Sequence, residues 1–238
     1  FGTGGGKPSH PELLDWLAGW FQQNNYSLKS LHRLIVTSMT YRQSSASRPD
    51  ALGRDRDNRL LWRFAPKRLE GEAVRDSLLQ AAGMLNTQQS GPSYEDVKEI
   101  HFNAGRYYLP IEVKGPKFDR RTIYRFSPRG ERDAILDTFD CPDPSATAPT
   151  RAVTTTPLQA LSLSNNVFVW RMADDLANRI RKEAGEAPPG QVRRAWQLSL
   201  GREPDETECS KATAMITKHG LRSLCRALFN SSEFVVIE

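Results

Sequence analysis

Apolar residues recur every three or four positions along most of this chain, a period that predicts helices. Leu13, Leu14, Leu17, Trp20 and Phe21 form one wide stripe. Before it, Ser9-His10-Pro11-Glu12 reads as a capping box with proline in the first turn. Asn24-Asn25 ends that helix and Ser27 caps a second, with Leu28, Leu31, Leu34 and Ile35 on one face. The pair reads as an αα-hairpin. A polar stretch from Thr37 to Asn58 follows, then a short helix over 58–64 that Pro66 stops.

Leu69 to Ala82 predicts a longer helix, with Leu69, Ala73, Leu78 and Ala81 inward and Gly83 just past its end. The helical period disappears between Val97 and Phe126. Arg106–Val113 and Arg121–Phe126 alternate and favour β-branched and aromatic types, which predicts two or three short strands. Helices resume at Glu131–Phe139, closed by the stiff Asp140-Cys141-Pro142-Asp143-Pro144. Thr156-Pro157-Leu158-Gln159 is another capping box, and Asn166 caps a helix carrying Val169, Ala173, Leu176 and Ile180. Further helices run from Gln191 to a stop at Gly201, from the Asp205–Glu208 box, and after Gly220 with Leu221, Leu224, Cys225, Leu228 and Phe229 inward. The expected architecture is mainly α: one domain over 1–238, with about eight helices and a small two- or three-stranded β insert. Its helical halves lie at about 8–85 and 131–238, and the insert at about 97–130.

Composition narrows the class. At 238 residues, with 38% hydrophobic and 26% charged positions, the chain can bury about 70% of its unfolded surface without staples. No apolar run approaches the roughly 18 residues a membrane-spanning helix needs. Three cysteines make no disulfide framework and no CxxC pair. Cys209 and Cys225 sit on apolar helix faces, where two buried thiols are the simpler reading and a helix–helix disulfide the alternative. Without a C-x-x-C-H, a c-type haem has no attachment by that motif in this chain. Gly2-Thr3-Gly4-Gly5-Gly6-Lys7 resembles a phosphate loop in composition but not in spacing, and reads as a flexible leader inside a longer protein.

The net charge is +5, and 24 of the 33 cations are arginine. Between Arg106 and Arg132, eight cations face three carboxylates, a surplus equal to that of the whole chain. Arg106, Arg120, Arg121, Arg125 and Arg129 are interleaved there with Tyr107, Tyr108, Phe118, Tyr124 and Phe126. Such a segment can grip a sulfated or carboxylated glycan or a phosphodiester strand. Alternatively, Arg121 and Arg125 turn inward to carboxylates while the tyrosines pack. Four carboxylates are candidates for acid–base or ligand chemistry: Glu72 and Asp76, sharing a helix face at i,i+4, and Asp140 and Asp143 in the proline turn. Pairing with neighbouring arginines and ordinary turn formation are the competing readings. His10 and His32 are candidate polar groups, in no metal-binding spacing, and no metal site is expected.

Ten segments in order resemble one family. They are Ser9–Leu17, Ser27–Ile35, Thr37–Ser44, Asn58–Arg63, Arg68–Asp76, Arg120–Tyr124, Phe139–Pro144, Thr154–Leu161, Leu200–Pro204 and Asn230–Phe234. Together they are similar to the planctomycete-type domain of unknown function 1553, over nearly the whole chain. The resemblance implies the C-terminal accessory or binding domain of an exported, multi-domain bacterial protein, of which this chain is a fragment. It implies upstream cytochrome-like modules as partners, with any haem on them, and an envelope polysaccharide as a further partner. It carries no catalytic residues. The alternative is a component of an envelope hydrolase or oxidoreductase working through the four carboxylates. Nucleic-acid binding ranks third, since no recognition motif is present.

Overall fold

The computed structural model describes residues 5–103 and 105–238, so positions 2–4 of the leader read at Gly2–Lys7 lie outside the described residues. Eleven helices and two small two-stranded sheets form among the described residues, so the architecture is mainly α with a small β element. Eight of the helices run to nine residues or more. The chain divides into two units, residues 5–67 and Arg68–Ile237.

In the smaller unit, α1 (Pro11–Gln23) and α2 (Leu28–Thr37) are the expected hairpin, and the Ser27 hydroxyl accepts the Ser30 N–H at 3.3 Å. The capping box read at Ser9 does not form. His10 is the N-cap of α1, and the Ser9 hydroxyl is engaged with His10 Nδ1 at 3.0 Å instead. The helix expected over 58–64 is also absent. Asn58 and Leu61 have φ of 54° and 56°, and the Asp55 carboxylate accepts the N–H groups of Arg59 (3.0 Å) and Leu60 (2.7 Å). A side chain that satisfies backbone donors locally removes the reason to form a helix. The helix in this region lies earlier, as α3 (Pro49–Arg54), with proline in its first turn. No described residue of this unit is buried.

The larger unit begins with Leu69 donating its N–H to Val235 O at 2.8 Å, which ties its two ends together. α4 (Gly71–Ala82) ends at Gly83 in the left-handed conformation (φ 75°), as the sequence predicts. It is followed by the hairpin strands β1 (Val97–Phe102) and β2 (Gly105–Pro110), antiparallel and in register from Val97↔Pro110 to Phe102↔Gly105. The strand expected at Arg121–Phe126 is instead a 3₁₀ turn, Thr122–Tyr124. The cause lies on α4: Asp76 Oδ1 accepts both the Thr122 N–H (2.8 Å) and hydroxyl (2.7 Å), which pulls the chain out of extended geometry. α5 (Ala134–Thr138) is shorter than predicted because Asp133 caps it, accepting the N–H groups of Ile135 and Leu136.

The remaining helices are α6 (Pro157–Asn165), α7 (Val167–Ala184), α8 (Pro188–Leu200), α9 (Glu206–His219), α10 (Leu221–Phe229) and α11 (Ser232–Val235). The boxes at Thr156 and Asp205 form, and Asn166 caps α7 by accepting the Phe168 N–H at 2.8 Å. α7 is the hub of this unit. Val169, Met172, Ala173, Leu176, Ala177 and Ile180 are buried along it, against α4, α6, α8 and α10. Each fully buried side chain of the Val, Leu or Met size contributes about 1.5–3 kcal/mol. The three cysteines are free thiols, and Cys225 is buried in this core. No helix among the described residues is long and apolar enough to cross a membrane.

Candidate functional site

The arginines of the basic segment go to different places, and burial separates them. Arg120 is only 6% exposed. Its guanidinium donates to the carbonyls of Pro92 (2.8 Å) and Ser90 (2.6 Å) and stacks on the Tyr124 ring, so it pins the 88–92 loop from inside. Arg125 is 9% exposed. It donates to Glu131 through two nitrogens (3.1 and 3.0 Å) and to Asp96 through Nε (2.8 Å), with Asp133 at 3.7 Å. Burial works against its charge, but the hydrogen bonds to Glu131 and Asp96 outweigh that and hold it protonated. Neither arginine faces solvent in the way the anion-gripping reading needs. Arg121 stays outside, 3.3 Å from Asp76, and Arg106 lies 3.5 Å from Glu99, also at the surface. Arg129 is exposed.

Each of the four sequence-selected carboxylates is engaged by an arginine. Both terminal nitrogens of Arg151 donate to Glu72, at 2.8 Å each, and hold its carboxyl below the ordinary range, while the Cys141 thiol lies 3.7 Å away. Asp76 binds Thr122 and Arg121. Asp140, at φ 60°, accepts from Arg68 and from the N–H and hydroxyl of Thr154. Burial raises its pKa, but those donors outweigh it and leave the carboxyl below its usual range. Asp143 accepts the Ser145 N–H (2.7 Å), which lowers its pKa, and also binds Arg132 at 3.2 Å. Each is a hydrogen-bond acceptor with its partners in place. His10 and His32 belong to the smaller unit, and His32 is exposed. Among the described residues, no three His, Cys, Asp or Glu side chains are grouped to hold a metal ion.

The feature that sequence reading missed is a cleft of about 550 Å³ in the larger unit. Its floor is the Arg125 cluster with Asp96, Glu131 and Asp133, and its apolar walls include Ile111, Val113, Phe118, Val167 and Phe168. Arg75 reaches it from α4, held between the Tyr94 and Phe168 rings and donating to the carbonyls of Phe118 (2.9 Å) and Arg120 (3.0 Å). Arg171 enters from α7 and pairs with the fully buried Asp119 at 2.9 Å. Five carboxylates line the cleft against four arginines, the reverse of the surplus in the segment that forms much of it. One buried acceptor, Asp96 Oδ1, has no partner among the described residues. Asp137 lines the cleft too. Burial raises its pKa, Arg132 opposes that, and Asp133, Glu131 and Asp143 add to it.

The signal that could have located this cleft is the acidic spacing after the basic run, Glu131-x-Asp133-x-x-x-Asp137, which reads alone as a helix start. Asp96 lies 29 positions before Arg125, and only the folded chain joins them.

A family profile, PSD1, described as a protein of unknown function (DUF1553), matches residues 1–216. None of the curated proteins or solved structures compared with the chain matches it.

Proposed function

Because the chain belongs to the PSD1 family of unknown function (DUF1553), membership brings no activity with it, and we propose one from the chain's own geometry. The chain is a binding module, and the cleft of its larger unit takes a polyhydroxylated ligand, a neutral glycan strand. The observation that carries this is the pairing within the cleft: carboxylates and guanidinium groups fixed by one another between apolar walls. Fixed acceptors and donors between apolar walls suit hydroxyl groups on a ring with apolar faces. The excess of carboxylates argues against the sulfated or carboxylated glycan that the basic sequence run suggests. Export and cytochrome-like modules in the same polypeptide belong to this reading through the family's domain context.

A glycan array with neutral, sulfated and carboxylated members tests the proposal. Retention of neutral glycans is expected, lost in Val167→Trp, which fills the cleft from an exposed position. Retention of sulfated members alone, or no glycan binding at all, overturns it.

A hydrolytic reading has one observation in its favour: Asp137, in the cleft, with a carboxyl pushed up towards the range of a general acid. It replaces the four sequence-selected carboxylates as the place to look, with its own arginine, Arg132, 3.8 Å away. Release of reducing ends from a bound glycan, lost in Asp137→Asn with binding retained, is the result this reading requires.

A further inference from the structure

The hairpin beside the cleft has two unlike faces. In the register of β1 and β2, Glu99, His101, Arg106 and Tyr108 share one side. Glu99 pairs there with Arg106 and His101, and Tyr108 packs edge-on to Phe126. The other side carries Lys98, Ile100, Phe102, Tyr107 and Leu109. Phe102, Tyr107 and Leu109 remain 64, 52 and 51% exposed. A two-stranded ribbon with one uncovered apolar face is marginal by itself in water, so an uncovered face of this kind points to something that lies on it.

The ring of Tyr107 is held in place by a glycine. A Cβ on Gly105 would sit 2.9 Å from Tyr107 Cε2 and 3.1 Å from its hydroxyl oxygen. The ring therefore lies over Gly105, whose cross-strand partner is Phe102. Two exposed aromatic residues thus share that side as an aromatic platform, and Lys98 is the charged residue of that side within the two strands. β2 then runs without a break into the cleft wall. Pro110, Ile111 and Val113 line the cleft, and Ile111 extends the ladder by donating to Asp96 O at 2.9 Å.

We propose that this aromatic platform is an outer subsite for the glycan strand bound in the cleft, so that the site is a groove running from Asp96 out to Tyr107 and Phe102. The inference rests on the cleft reading and extends it: the ligand is a chain of several neutral sugar units. The apolar C–H face of a pyranose ring stacks on an aromatic face, and a near-neutral platform suits an uncharged chain. From Ile111 to Tyr107 the strand covers ~13 Å at the usual rise per residue. A mono- or disaccharide held in the cleft does not reach the rings, and a longer chain does.

Titration calorimetry with cello-, xylo- and chito-oligosaccharides of two to six units tests this on the wild-type chain, Tyr107→Ala, Phe102→Ala and Tyr107→Phe. Wild type is expected to bind a chain of four or more units at least about tenfold more tightly than the disaccharide. Tyr107→Ala and Phe102→Ala should lose that gain while keeping disaccharide affinity within about twofold, and Tyr107→Phe should retain it. Circular dichroism confirms that each variant is folded. A length gain that survives in both alanine variants, or no length gain at all, overturns the outer subsite and leaves the cleft reading intact. Failure of every glycan to bind removes the cleft reading and this one with it. Concentration-dependent dimerisation lost in Phe102→Ser would assign the face to a second copy of the chain and overturn the proposal.

Discussion

Arg151 grips Glu72 with both terminal nitrogens, each 2.8 Å from a carboxylate oxygen, across 79 positions of chain. Arg151 lies in the irregular segment that leaves α5 and leads to α6, and Glu72 lies in the first turn of α4. Arg151 ties that segment to Glu72 and Asp140 ties it to Arg68, while Thr154 and Ser145 close it on itself through Asp140 and Asp143. Arg151→Ala should free it. Both partners are partly exposed, so the cost in global stability is about 1 kcal/mol or less. The sensitive readout is limited proteolysis, with new cleavage between residues 142 and 155 and unchanged cleavage elsewhere. Equal cleavage in wild type and variant would show that the pair anchors nothing.

Arg125 gives the opposite case. It is buried with Asp96, Glu131 and Asp133 around it, and removal of the cation leaves buried like charges facing one another. Arg125→Met should cost about 3–5 kcal/mol in denaturant unfolding. Arg121→Ala, at the surface beside Asp76, should cost under about 1 kcal/mol. Similar losses for the two would contradict the division of the basic segment into inside and outside arginines.

Acid stability should follow the depressed carboxylates. Glu208 is held down to about 2 by Arg202 and by the Asp205 N–H, and Glu72 is lowered by Arg151. A carboxyl whose folded pKa is depressed contributes stability above its unfolded value of 4.5, and that contribution is lost as pH falls through the folded value. Thermal midpoints should be flat from pH 7 to about 5 and fall between about 4.5 and 2. Arg202→Ala should lower the plateau and flatten the fall, since its loss returns Glu208 towards its unfolded pKa. A slope unchanged in that variant would remove Glu208 from the account.

Gly71 opens α4 where the helix passes closest to α5. An added Cβ would meet Leu136 O at 3.1 Å, Leu136 Cα at 3.2 Å and Phe139 Cβ at 3.3 Å. Helix propensity alone predicts that Gly71→Ala stabilises by up to about 1 kcal/mol. Backbone atoms cannot retreat as a flexible side chain can, so the net effect should be destabilisation by about 1–3 kcal/mol. A gain in midpoint would show that α5 shifts to make room.

Cys141 and Cys225 should resist alkylation in the folded chain. Burial pushes Cys225 up to about 12, and burial with the neighbouring Glu72 pushes Cys141 up to about 11. The thiolate is the reactive form, so neither should react with a thiol reagent at pH 8 until the chain unfolds. Prompt labelling of Cys225, followed by mass spectrometry, would contradict its place in the core.

Local chemistry made most of the helices legible. A cap, a stop and an apolar stripe are all written within one helix length, so Asn166 with Val169–Ile180, the Asp205 box and Gly83, Gly201 and Gly220 read correctly from sequence. Where the reading failed, a side chain from elsewhere, or a local competitor, had taken the backbone's donors. Asp76 bends Thr122–Tyr124 out of a strand, Asp55 replaces a helix at 59–60, and His10 takes Ser9 away from the cap.

The candidate site was less legible, because charge along a chain says nothing about pairing across it. The run from Arg106 to Arg132 allowed a basic patch or an inward turn of Arg121 and Arg125, and folding sends Arg125 inward with Arg120 while Arg121 stays outside with Arg106 and Arg129. Composition and order determined a helical member of one family with an arginine excess. Tertiary structure decided which arginine meets which carboxylate, over separations such as the 52 positions between Asp119 and Arg171. A buried charge must be paired, and the partner that satisfies it is the one the fold brings within about 3 Å, wherever it stands in the sequence.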